Sequence, residues 1–402
     1  MTYQTGLISA PRPHDHASAP RLPWAALLVM AFMGFLLIAT ETMPAGLLPQ
    51  ISAGLTISEG SAGQLVSAYA LGTVLATMPL IALTRGLRRK PIFVFGITGF
   101  LITTVITAIS PAFALSLGAR FLAGAFSGLL WGMLGGYARR ISAPEFAGRS
   151  LAVASIGTPI GLAVGTPFGS WIGTTYGWRW SFGVLSMLTL VVLILAVVLV
   201  PDAAGQRAAS RVPVVGVLRL SGVALILAVI VTWMVAHNVV YTYFATYLRS
   251  ADVGLPIDVA LVVFGIAALI GVGITGALVD HALRGLVFVS IGLFITGGVI
   301  FVVGHHSTAA VFIALVAWGV GYGGAATQLS TAISDAGGEN VDVANALLGV
   351  AFNLAIFAAG VIGAILISTS QALVLPIFMI TLASVSLVIA FVARHSAFPT
   401  RR

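Results

Sequence analysis

Glu41 lies in the run Ile38-Ala39-Thr40-Glu41-Thr42-Met43-Pro44-Ala45-Gly46, a carboxyl set in apolar sequence. Pro44 has no N–H for the carbonyl four residues earlier, so a helix through this run must open around the acid. Such a carboxyl can bind and release a proton, contact a substrate, or fix helix packing through a hydrogen bond. If the run crosses a bilayer, a charge there costs ~2.5–3.5 kcal/mol on insertion scales, which makes it a functional candidate. Arg120 is the second candidate. It heads a stripe recurring every four residues, Gly124, Gly128, Gly132 and Gly136, along one helix face. At ~1.5 Å per residue, Glu41 and Arg120 stand ~26 Å and ~27 Å from the same membrane face. The two can pair; an arginine that binds only backbone carbonyls is the other reading.

A second group concentrates hydrogen-bonding side chains and flat rings. Trp233, His237 and Tyr241 fall four residues apart, with Asn238 and Tyr243 beside them. This mix suits a sugar, a nucleoside or an aromatic drug, although the tyrosines near a helix end also fit an interfacial belt. Gln328 and Asn353 are further lining candidates, or interhelical glue. Gly157, Gly161, Gly165, Gly169 and Gly173 form a ladder interrupted by Pro159 and Pro167. Small residues at this spacing allow close packing, and two prolines add bends suited to gating. Arg85, Arg88, Arg89 and Lys90 make a basic loop, and Asp280 lies in a second loop, where it is expected to pair with an arginine.

The elements that position these residues follow from composition. The 402 residues hold 19 Lys plus Arg and 11 Asp plus Glu; 59 % are hydrophobic and 7 % charged. A water-soluble fold carries ~25 % charged residues, so soluble enzymes, nucleic-acid binders and disordered proteins are excluded. The chain reads as an all-α integral membrane protein. Apolar runs of at least the ~20 residues a bilayer needs give twelve spans, at 24–50, 62–83, 91–110, 113–138, 150–172, 179–200, 220–248, 259–279, 285–304, 307–330, 343–369 and 372–393.

Basic residues gather on one side: Arg12 and Arg21, the Arg85–Lys90 loop, Arg139, Arg140 and Arg149, Arg207, Arg211 and Arg219, Arg284, then Arg394, Arg401 and Arg402. The positive-inside rule puts this side, and both termini, in the cytoplasm. The expected organisation is a disordered cytosolic tail at 1–21, a six-helix half at 22–200, a cytosolic linker at 201–219, a second six-helix half at 220–393 and a short tail at 394–402. Residues 82–93 align weakly with residues 277–288, at corresponding places in the two halves. Two repeated halves with a site between them is the plan of many secondary transporters.

No G-x-x-x-x-G-K-[ST] occurs, so an ion gradient is the expected driver. Gly271-Gly273-Gly276 and Gly319-Gly321-Gly324 match G-x-G-x-x-G but sit inside apolar helices with no strand before them, which rules out dinucleotide binding. There is no cysteine and no paired metal-ligand spacing. The expectation is no enzyme activity, cofactor, metal or nucleic-acid partner. The partners expected are lipid, protons and a small molecule, handled by a monomer.

These motifs resemble the major facilitator superfamily, specifically its twelve-helix drug:proton antiporter group. The Arg85–Lys90 loop resembles that family's basic loop between helices 2 and 3, and Arg120 with Gly124 its helix 4 arginine motif. The helix 5 ladder followed by Gly177-Trp178-Arg179-Trp180-Ser181-Phe182 is similar to the antiporter signature. Thr40-Glu41, Gly46-Leu47-Leu48-Pro49 and Gly63-Gln64-Leu65-Val66-Ser67-Ala68-Tyr69-Ala70 resemble bacterial exporters of sugars, arabinose, purines and chloramphenicol. His237 through Tyr243 and Ala351-Phe352-Asn353-Leu354 are similar to helices 7 and 11 of the sugar efflux transporters. The resemblance implies an exporter in the bacterial inner membrane with Glu41 as proton-linked carboxyl and Arg120 as its partner. Two positions depart from the pattern. Ala82-Leu83-Thr84-Arg85 lacks the aspartate usual there, and residue 123 is alanine where glutamine is common. A receptor that keeps the fold but moves nothing, and an uptake symporter, are the alternatives.

Overall fold

The computed structural model describes residues 22–84, 86–205, 214–220 and 222–399. The expected tail at 1–21, Arg85, the middle of the 201–219 linker and residues 400–402 lie outside the described residues. Among the described residues the regular structure is all helical. Eleven helices among the described residues are long and apolar enough to cross a bilayer. Apolar sequence in lipid must satisfy every backbone group internally, and the helix does this within one segment.

One of the eleven, Ile257–Val303, has 47 residues, about 70 Å at ~1.5 Å per residue, against a core of ~30 Å. Ala282 departs from helical geometry (φ −133°, ψ 28°) and divides it into two crossings. With this division the expected twelve spans are present, and the protein is multi-pass. Phe95, Ile102, Met187, Val198, Ile266 and Val388 are each more than half exposed. In water such a surface would be a liability; in a bilayer it is the face toward lipid.

Several spans are not the single helices that apolar runs suggest. Span 1 is Trp24–Thr42, a 3₁₀ segment at Met43–Leu47, then Leu48–Leu55. Span 5 holds a π-type turn at Gly161–Gly165. Span 7 ends as Val223–Thr242 and resumes at Phe244–Ala251, and span 10 breaks at Gly324.

At the end bearing the basic loops, each loop is tied to the exit of its own half. Arg88 Nε stands 2.5 Å from Asp202 Oδ2, the Lys90 N–H donates to Asp202 Oδ1 (3.0 Å), and the Arg89 N–H donates to the Ala203 carbonyl (2.9 Å). The backbone N–H of Lys90, then that of Ala203 and the Arg88 guanidinium, hold the Asp202 carboxyl below its ordinary range. In the second half Arg284, 195 residues after Arg89, donates to the carbonyls of Phe398 and Arg394, both at 2.7 Å. The acid missing from the first loop is supplied from after span 6.

Candidate functional site

Pro44 explains the geometry around the acid. Thr40's carbonyl has no helical partner because residue 44 is proline. Arg120 fills the vacancy. Its Nη1 donates to Thr40 O at 3.0 Å, and its Nε to Leu65 O at 3.2 Å, across from span 2. The guanidinium carbon lies 4.3 Å from the Tyr69 ring centre, a cation–π contact. Arg120 is only 1 % exposed and is absent from the cavity wall. It clamps the broken segment of span 1 to span 2, and it makes no direct ion pair with Glu41. The glycines after it explain the close approach: Gly124 meets the Tyr69 backbone and Gly128 meets Thr73, while Gly136 faces open space.

Glu41 forms no hydrogen bond or ion pair among the described residues, and it lines a cavity of about 810 Å³ between the two halves. Beside it, Thr42 Oγ1 donates to Ile38 O (2.7 Å) and lies 2.5 Å from Thr166 Oγ1 on span 5. The span 5 ladder packs on span 1 along its length. Gly157 meets the Ala31 backbone, Gly161 and Gly165 meet Phe35, Gly169 meets Met43, and Gly173 meets Leu47. A Cβ on Gly169 would come within 2.6 Å of Met43 Sδ. The widened turn at Gly161–Gly165 precedes Pro167, whose ring cannot sit in a regular turn; Pro159, one turn earlier, lines the cavity.

The first half contributes Glu41, Thr42, Thr73, Thr77, Trp131 and Thr158 to the wall; the second contributes His237, Asn238, Tyr241, Tyr322, Phe352 and Asn353. Trp318 Nε1 donates to His237 Nδ1 at 3.0 Å, and the Tyr322 ring lies parallel to the imidazole, 3.4 Å between centres. Asn238 and Asn353 each spend an amide N–H on the carbonyl one turn back, Met234 O (2.8 Å) and Gly349 O (3.1 Å).

Two expected lining residues are elsewhere. Tyr243 is fully buried between Gly63 and Gly363 and donates to Gly360 O at 2.8 Å. Gln328 is fully buried and donates to Thr275 (3.0 Å) and Ser290 (2.9 Å), joining spans 8, 9 and 10. Both serve packing: the Tyr243 hydroxyl and the Gln328 amide nitrogen are taken up by neighbouring helices, while Gln328 Oε1 is buried without a partner among the described residues. Tyr322, Thr73, Thr77, Trp131 and Thr158 were not read from the sequence. Tyr322 carried a signal: it sits inside Gly319-Val320-Gly321-Tyr322-Gly323-Gly324, the string dismissed as a false nucleotide motif.

Toward the basic loops the wall reaches Ile81, Trp131, Thr158 and Asn345. At the opposite end the halves are bound together. Gln64 Nε2 donates to Gly360 O (3.3 Å) and Ser67 Oγ to Phe357 O (3.3 Å). Thr246 Oγ1 donates to Glu59 Oε2 (2.5 Å), and Arg249 pairs with the other oxygen of Glu59. The cavity therefore opens toward the basic end and is shut at the other.

A family model described as Major Facilitator Superfamily matches residues 30–360. The chain is 28 % identical over 378 residues to a Mycobacterium tuberculosis protein named "Chloramphenicol efflux pump", covering 88 % of this chain and 89 % of that one. It is 26 % identical over 344 residues to a Haemophilus influenzae protein named "Probable sugar efflux transporter", covering 84 % and 86 %. A crystal structure of the nucleoside transporter NupG, a point mutant, shares the fold with TM-score 0.73 at 13 % identity, covering 93 % of this chain and 99 % of that one.

Proposed function

The chain belongs to the major facilitator superfamily, a transporter and not an enzyme, and from that premise we propose that it exports a small neutral organic molecule in exchange for protons bound at Glu41. The observation that carries this reading is the placement of Glu41. It is the charged side chain on the cavity wall, at the break in span 1, without a hydrogen bond or ion pair among the described residues. A carboxyl reached from the cavity can exchange a proton for a substrate as access alternates, because both need the same space and the same side chain. Arg120 serves by holding the break open, its contact to Thr40 O replacing the helix bond that Pro44 removes and its contact to Leu65 O tying the break to span 2. The basic loops, under the positive-inside rule, support a reading in which the open end of the cavity and both termini face the cytoplasm of a bacterium.

The substrate side rests on the aromatic and amide wall of the second half, which suits a flat ring carrying polar groups. The names of the efflux relatives agree with export of such a molecule. The test is transport into everted membrane vesicles with an imposed pH gradient, using chloramphenicol, arabinose and a purine nucleoside as probes. The expected result is uptake of at least one probe, abolished by a protonophore. Uptake that survives the protonophore would overturn proton coupling. Binding of a probe without pH-dependent flux would favour the receptor alternative, and accumulation only in right-side-out vesicles the symporter.

A further inference from the structure

The imidazole of His237 is held in one chemical form by its neighbours. An indole N–H can only donate, so the ring nitrogen it meets, Nδ1 of His237 at 3.0 Å, must be an acceptor. The neutral ring then carries its proton on Nε2. An imidazolium is excluded, because both its nitrogens would donate and Trp318 Nε1–H would face another N–H. Rotation is blocked as well. Tyr322 lies parallel to the ring at 3.4 Å and 4°, Tyr241 stacks at 5.3 Å, and Phe264 and Phe294 close the remaining sides at 5.9 and 6.4 Å. Each of these neighbours is uncharged. Nε2 has no hydrogen-bond partner among the described residues, and His237 stands on the cavity wall.

We infer that His237 is a specificity-determining donor, offering a fixed Nε2–H to an uncharged acceptor oxygen on the substrate, and that Trp318 is the positioning residue that sets its tautomer. The inference rests on the cavity being the transport site. It narrows the ligand to neutral molecules in which a carbonyl, nitro or hydroxyl oxygen lies next to a flat ring or sugar face able to pack on Tyr322. Glu41 is the one charged side chain among the described residues on the wall, so a substrate bearing a permanent negative charge would find no cation there, and one bearing a permanent positive charge would compete with the exchanged proton for that single carboxyl.

The test has two arms. In the first, the purified protein labelled with ¹⁵N-histidine is observed by NMR, and the resonances lost in His237→Phe identify the ring. A proton on Nε2 with Nδ1 unprotonated is expected, and Trp318→Phe is expected to give a mixture of tautomers. A proton on Nδ1 in the wild type would overturn the assignment. In the second arm, chloramphenicol transport is measured in vesicles, with arabinose as the alternative probe. His237→Phe, which keeps the flat stack but removes the donor, is expected to raise KM about tenfold with kcat changed less than about twofold, the size of one lost hydrogen bond. His237→Gln, which returns an N–H near the Nε2 position, is expected to recover most of the loss. Equal KM values for wild type and His237→Phe would overturn the donor role. If the wild type moves neither probe, the transport reading fails, and the tautomer measurement alone then decides for or against His237. If His237→Phe does not fold, Trp318→Phe carries both arms.

Discussion

The two walls of the cavity are built from different chemistry. The first half presents a carboxyl and hydroxyls, Glu41, Thr42, Thr73, Thr77 and Thr158, with Trp131 the one aromatic among them, backed by the Arg120 clamp. The second half presents interlocked rings and amides, His237, Tyr241, Tyr322, Asn238 and Asn353, with no Asp, Glu, Lys or Arg on its side among the described residues. The difference lies in what each wall leaves unpaired. Glu41 has no hydrogen bond or ion pair among the described residues, whereas the rings opposite are fixed by Trp318 and by each other. A rigid aromatic face can discriminate between ligands, and an unpaired acid can respond to pH. On the proposed reading, coupling resides in the first half and selection in the second.

This division can be broken in order of effect. Glu41→Gln keeps the volume but cannot ionise, and vesicle assays are expected to show pH-driven transport at background while probe binding to the second wall persists. Arg120→Met strands the carbonyl of Thr40 in a dry interior, while that of Leu65 keeps its place in the span 2 helix. Each buried unsatisfied acceptor costs ~1–3 kcal/mol, so a clear drop in thermal stability is expected, read by unfolding in detergent. A direct proton-relay role would instead slow transport with stability intact. Tyr322→Leu removes the face stacked on His237. An aromatic pair contributes ~0.5–1.5 kcal/mol beyond burial, so KM should rise several-fold with coupling stoichiometry unchanged. Arg249→Gln weakens the closure to Glu59 at the shut end. An exposed pair of this kind contributes ~0.2–1 kcal/mol, and cross-linking should show a modest gain in the state open at that end.

Asp202→Asn is expected to do least, a slight fall in unfolding temperature. Because that carboxyl is held below its ordinary range in the folded protein, its contribution is present above the unfolded carboxylate value. It is lost as pH falls through the folded value. The difference between Asp202→Asn and the wild type should therefore vanish in acid.

Most of the fold was legible in the sequence, because lipid leaves the backbone few choices and apolar runs separated by basic loops mark the spans. The opening at Glu41 was legible too, since a proline has a defined geometric consequence. Which side chain answers that opening was not. Depth along two helices placed Arg120 level with Glu41, yet the bond goes to Thr40 O, one residue away, a difference set by side-chain reach and not by spacing. Tyr243 and Gln328 looked like Tyr241 and Asn353 by type. Their partners, Gly360 on span 11 and Thr275 and Ser290 on spans 8 and 9, are tertiary and leave no periodic trace. The break at Tyr243, which turns the following helix toward Glu59, was equally hidden.

The most direct measurement is substrate counterflow beside pH-driven transport in the same vesicles, for wild type and Glu41→Gln. If coupling resides in Glu41 and selection in the opposite wall, the variant exchanges labelled for unlabelled substrate at close to the wild-type rate while its response to a pH gradient is gone. A variant that still concentrates substrate against the gradient would show that Glu41 does not carry the proton. One that loses counterflow equally would show that the two walls do not divide the work.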